Sequence, residues 1–241
     1  MKRRTILQLA ASGAAFTALP SLTRAATPAP LKELRLDYAY YSPTSLVLRR
    51  FGWLEEAFKQ DGTSIKWVLS AGSNRALEYL NANSIDIGSS AGLAALLARA
   101  NGNPIRAPYI FSRPEWTALV VRKDTYGFLN VREEFLASHP AEVGKVIQAY
   151  ERARAWIRAN PAEAAKILSE EAKVSLPVAL LQVKLRSDFS NPQPSNEHVK
   201  ALLVAAPILV DEALVKPGAD LNRAIADLVD TRFAAPFIGK A

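Results

Sequence analysis

Three short stretches rich in serine and glycine, YYSPTS (40–45), SAGSN (70–74) and GSSAG (88–92), each stand where a strand-like apolar run gives way to a helical one. Hydroxyls at a helix start, joined to the unbonded N–H groups of the first turn and the positive end of the helix dipole, form a receptor for an anion. A fourth stretch, SRPEW (112–116), adds a cation at Arg113. A serine at a helix start is also the ordinary N-cap, so Ser73 or Ser90 taken singly reads as a cap before it reads as a ligand contact. Three such loops at successive strand ends favour a cleft that holds a small anionic group.

Bond-making chemistry finds little support. The chain has no cysteine, so it offers no thiolate, no disulfide and no Cys-based zinc site. Its two histidines, His139 in ASHPAE and His198 in SNEHVK, fall in segments that read as surface helix starts. HExxH and Walker patterns are absent from the sequence. A binding protein without cofactor or metal is expected, not an enzyme.

The elements that must position the loops follow from periodicity. ELRLDYAYY (33–41), SIKWVLS (64–70) and SIDIGS read as strands; SLVLRRFGWLEEAFKQDG (45–62), NRALEYLNANS (74–84) and GLAALLARANGN read as helices, the first closed by Gly62. IRAPYIFS and TALVV follow as further strands. The order β-α-β-α-β-α-β over residues 33–121 predicts a mostly parallel sheet faced by helices, with ligands outside the carboxyl ends of its strands.

Residues 1–26 read as a cleavable export leader: Lys2, Arg3 and Arg4, a short apolar run broken by Ser12, Gly13 and Pro20, then Ala25 and Ala26. The paired arginines resemble a twin-arginine signal, with Gln8 where lysine is usual, and a Sec signal is the alternative. The leader holds four basic residues and no acidic one, so the remainder carries 26 basic against 23 acidic, a balance of +3 instead of +7. Those charges are interspersed along helices such as YERARAWIRANPAEAAKILSEEAK and read as solvated faces, which argues against a nucleic-acid partner. With 49% hydrophobic residues the remainder can bury a core for one large or two small domains.

LDYAYYSPTSLVLRRFGWLEE, SAGSNRALEYLNANSIDIGSSAGLAALLARANGNPI and SRPEWTALVVRKDT, together with YGFLNVREEFLASHPAEVGKVIQAYERARAWIRANPAEAAKIL and the VKPGADLNRAIADLVDTRF tail, resemble the periplasmic substrate-binding proteins of ABC importers. Within them the resemblance is to the aliphatic sulfonate group of the nitrate/sulfonate/taurine family. It implies an α/β, type II periplasmic-binding-protein fold, a periplasmic location, a monomer, an alkanesulfonate as ligand and an ABC permease as partner. Nitrate, taurine or a thiamine-pyrimidine precursor is the alternative solute. The implied contacts are Tyr40, Tyr41 and Ser42 after the first strand, Ser73 and Asn74 after the second, Ser90 and Ala91 after the third, and Arg113, Trp116 and Thr117 before the crossover. An aromatic there covers the alkyl part and a hydroxyl, amide or N–H meets the sulfonate oxygens.

The chain departs from the family at VRKDTYGFLNV (121–131), where Thr125 runs directly into Tyr126. The family has two to three further βα units at this point, about 60–90 residues at roughly 30 per βαβ unit. The expected organisation is therefore a leader (1–26), a largely complete first lobe (27–116), a junction hairpin (117–131) and C-terminal helices (132–241), with the second lobe truncated. TALVV and YGFLNV are expected to pair across RKDT in the second lobe's sheet, and to complete the apolar face of helix 141–159. A lost wall predicts weak ligand affinity or a non-binding remnant, and an apolar surface prone to self-association.

Overall fold

The computed structural model describes residues 30–114 and 126–238. The leader expected over 1–26, Trp116, Thr117 and the expected strand TALVV (117–121) with its hairpin partner segment RKDT lie outside the described residues.

Three parallel strands open the chain: β1 (Glu33–Tyr38), β2 (Ser64–Leu69) and β3 (Ile87–Ala91). Between the first two, the single helix expected over 45–62 is split into α1 (Pro43–Phe51) and α2 (Trp53–Phe58). Gly52 causes the break: at φ 62 it takes a left-handed conformation, its N–H closing α1 and its carbonyl accepting from Glu56 to start α2. Helix α3 (Ser73–Asn81) joins β2 to β3, and α4 (Gly92–Ala100) joins β3 to β4 (Ile105–Pro114).

Strand β5 (Gly127–Arg132) returns antiparallel between β3 and β4 and so belongs to the first sheet, not to a second one as expected. Its side chains explain the slot. Phe128 enters one apolar cluster while Leu129 and Val131 enter the other, so the strand must be covered on both faces. Only twelve residues, 115–126, separate β4 from β5. That is shorter than one βαβ unit of about 30 residues.

The C-terminal half supplies α5 (Glu133–Ser138), α6 (Pro140–Ala159), α7 (Pro161–Ala172), α8 (Leu176–Lys184), the short β6 (Ser187–Asp188), α9 (Asn196–Asp211) and α10 (Leu221–Leu228). The sheet order is β2-β1-β3-β5-β4-β6. On one face α1, α2, α6, α7 and α8 cover Leu34, Leu36, Ile87, Tyr109, Phe111 and Leu129. On the other, α3, α4, α9 and α10 cover Ile105, Ile110 and Phe128. The apolar face of α6, expected to want a partner from the missing lobe, is filled from the first sheet and α1: Val143, Val146, Ile147, Tyr150 and Ala153 are all buried.

Not all charges of α6 are solvated. Glu151 and Arg154 are buried, and Glu151 accepts from the Tyr109 hydroxyl at 2.6 Å and from Arg154 Nε at 2.9 Å, while Arg154 also donates to the Phe189 carbonyl. Their spacing of three residues looks like a surface pair in the sequence; packing against β4 buries it. Removing the carboxylate leaves a buried guanidinium and hydroxyl without their acceptor. Glu151→Ala is expected to lower unfolding free energy by about 3–5 kcal/mol in urea denaturation. Lys166→Ala, which breaks the exposed pair with Glu163, is expected to change it by less than about 0.5 kcal/mol.

Candidate functional site

Because β1, β2, β3 and β4 point the same way and β5 the opposite way, one edge of the sheet gathers the ends of four strands and the start of the fifth. The three serine- and glycine-rich loops, Arg113 and Tyr126 all meet there.

Hydrogen bonds tie these loops to one another. In the first, Ser42 is buried and caps α1, accepting from the Ser45 N–H at 3.4 Å, while the Ser45 hydroxyl donates back to the Ser42 carbonyl at 2.8 Å. The Tyr41 hydroxyl donates to the Ser89 carbonyl at 2.9 Å, fastening the first loop to β3. Tyr40 is exposed beside it.

The second and third loops correct the capping expectation. Gly72, not Ser73, is the N-cap of α3, and Ala91, not Ser90, is that of α4. The Ser73 oxygen instead accepts from the Ala91 N–H at 2.9 Å, joining the two loops. Ser90 is buried within β3, where its oxygen accepts from Asn130 Nδ2 at 2.8 Å and its hydroxyl donates to the Ala91 carbonyl at 3.1 Å. Gly72 reaches φ 126, open only to glycine at little cost, and this turns the chain into α3. Asn74 lies exposed in the first turn of α3, where the leading N–H groups have no acceptor within the helix.

At the far end of the edge, the Arg113 guanidinium stands 5.4 Å from the centre of the Tyr126 ring. The Tyr126 carbonyl accepts from the Gly92 N–H at 2.9 Å, and its hydroxyl donates to Glu197 at 3.1 Å. His198 follows on α9, and here the structure overturns a surface reading: the residue is fully buried, its ring centre 4.3 Å from that of Tyr126. Its Nδ1 accepts from the Ser195 N–H at 3.0 Å, which assigns the proton to Nε2, a buried donor without a partner among the described residues. Burial pushes its pKa below the ordinary 6.5, ahead of the upward pull of Glu197.

Beneath the loops lies a residue not among those singled out from the sequence. Asp37 is buried near the end of β1 and accepts from the N–H and the hydroxyl of Ser89, both at 2.8 Å. Burial raises its pKa to about 7, the Ser89 bonds opposing the rise. Two tyrosines sense it: burial first and the Asp37 charge second push the hydroxyls of Tyr41 and Tyr150 upward. At the opposite edge of the sheet Asp86 is equally buried, yet hydrogen bonds from Arg35 and Arg132 outweigh burial and hold it below the usual range. The difference is a cation. In the sequence Asp37 stands at a polar position of the alternating strand ELRLDY, so nothing local marked it as buried, whereas Asn130 was a polar residue within the apolar run FLNV.

No protein-family model matches the chain, and no curated protein matches it. Solved structures do. The alkanesulfonate-binding protein SsuA from Xanthomonas axonopodis pv. citri superposes with a TM-score of 0.66 at 16% identity, over 84% of this chain and 99% of that one. The chain has the fold of the periplasmic binding proteins. The periplasmic aliphatic sulphonate binding protein SsuA from Escherichia coli gives a TM-score of 0.66 at 14% identity, over 80% of this chain and 91% of that one. The periplasmic nitrate-binding protein NrtA from Synechocystis PCC 6803 also gives 0.66, at 9% identity, over 88% and 89%.

Asp37 makes stability depend on pH. Its native pKa of about 7 exceeds the 3.8 of a free carboxyl, so the folded chain keeps a proton that the unfolded chain has released. Stability from this group therefore declines as pH rises from about 4 to about 7 and is level above. Asp37→Asn cannot ionise. Urea denaturation should find the variant gaining on the wild type between pH 4.5 and pH 8, by a few kcal/mol at most; an equal gap at both pH values would contradict the buried acid.

Proposed function

We propose that the chain is the solute-binding component of an ABC importer, exported by its leader to the periplasm, and that it captures a small anion of the alkanesulfonate class at the strand-end edge. The observation that carries this reading is that Arg113, the N-termini of α3 and α4 and the Ser73 hydroxyl lie along one strand-end edge, which also holds a buried carboxyl that is protonated in mildly acidic solution. Exposed Tyr40 supplies an aromatic surface for the alkyl part. The likeness in fold to two sulfonate-binding proteins supports the ligand class.

The proposal includes the loss of the second lobe between Pro114 and Gly127, which leaves one wall of a cleft that is ordinarily closed from both sides. A micromolar site corresponds to about −8 kcal/mol, and half of that is about −4, a Kd near 1 mM. Ligand then binds without a closing motion, since closure needs contacts from both walls.

Calorimetry and thermal unfolding with methanesulfonate, longer alkanesulfonates, taurine, nitrate and sulfate test the reading. A sulfonate is expected to titrate with a Kd of about 1 mM and to raise the transition, and Arg113→Ala is expected to weaken it about tenfold. Preference for nitrate would move the ligand class; silence from every anion would leave the edge without a ligand and sink the reading.

Ionisation of Asp37 adds a negative charge beneath the anion as pH rises through 7, with Ser89, Tyr41 and Tyr150 the groups around it. Burial lowers the His198 pKa from its ordinary 6.5, which favours its neutral form. Sulfonate affinity is therefore expected to fall several-fold from pH 6 to pH 8 and to lose that dependence in Asp37→Asn.

A further inference from the structure

We infer that the chain pairs with a second copy of itself through α9, the two helices lying antiparallel across a twofold axis between Ala205 and Ala206. One face of this helix is accounted for: His198, Leu202, Ala206 and Leu209 are buried against the sheet, α4 and α10. The opposite face, at spacing i, i+3, i+4, i+7, i+8 and i+11, reads Lys200, Leu203, Val204, Pro207, Ile208 and Asp211, and every one of these residues is exposed. Leu203 is 41% exposed, Val204 60% and Ile208 54%. The outer face of a surface helix is ordinarily polar, and an apolar stripe rimmed by charge marks an interaction surface.

The order of residues names the occupant. From either end the stripe runs charge, four apolar residues, charge, and the sign differs at the two ends. A twofold axis at its centre sets Lys200 of one copy opposite Asp211 of the other, twice, with Leu203 opposite Ile208 and Val204 opposite Pro207. Such an isologous contact is self-complementary, whereas parallel pairing would oppose like charges. The eleven-residue separation is about 16 Å along the axis, which fixes the register. Asp211 also lies in the last turn, where the helix dipole disfavours an anion, so its placement is not explained by the helix itself. Val210 and Leu214, both exposed, widen the patch. Exposed apolar residues on α8, Val178 and Leu181, carry no matching pair of charges.

Charge exchange tests the pairing. Sedimentation equilibrium of the full chain at low salt is expected to find a dimer. Lys200→Asp and Asp211→Lys should each weaken it by about tenfold, and the double exchange should restore it. Each single change suits the helix dipole, so loss of the dimer would not reflect a weakened helix; a thermal transition close to that of the wild type checks this. Val204→Glu should abolish dimerisation. A wild-type monomer across the micromolar range overturns the inference. So does a dimer indifferent to the single exchanges, which would point to α8, or one that the double exchange fails to restore.

Discussion

Six residues, Gly127–Arg132, hold the two helical layers to one sheet. Strand β5 is bonded along both backbone edges, to β3 and to β4, and its side chains supply Phe128 to one apolar cluster and Leu129 and Val131 to the other. Full burial of side chains of this size is worth about 1.5–3 kcal/mol each, and here it also joins the clusters that cover the two faces. The fit is tight at its start: a Cβ at Gly127 would come 2.4 Å from the Phe111 ring. With β5 in this slot the chain needs no second sheet to cover α6, and the strand-end edge acquires Tyr126, Asn130 and, through Tyr126, the start of α9.

That edge is held by the groups that give it its chemistry. Tyr41, Ser73, Ser90 and Asn130 form cross-links between loops and strands, so their geometry is set before any ligand arrives. Such preorganisation limits the adjustment a ligand must induce. The contrast between Asp37 and Asp86 shows the electrostatic side of the same design. Both are buried carboxyls of one sheet, but Asp86 meets two guanidinium groups and Asp37 meets one hydroxyl and one amide. Burial without a cation favours the neutral acid.

Much of the first half of the fold was legible. Alternation in ELRLDY and helical spacing in NRALEYLN are local patterns, and local patterns set β1, α3 and the Ser/Gly punctuation between strands. Gly52 was the local exception, a left-handed residue inside an otherwise continuous helical pattern. The candidate contacts were legible as loops but not as bonds. Whether Ser73 caps its own helix or receives the Ala91 N–H depends on how two loops approach, and no spacing within one loop encodes that.

By itself the sequence determined the alternation of strands and helices over residues 33–114 and the gathering of three polar loops at strand ends, since each follows from residues near one another in the chain. Only the tertiary structure decided that YGFLNV enters the first sheet between β3 and β4, that Glu151, Arg154 and His198 are buried, and that Asp37 lies without a cation beneath the loops. Those outcomes depend on which surfaces meet across stretches separated in the chain, and burial and pKa are properties of the meeting, not of either partner.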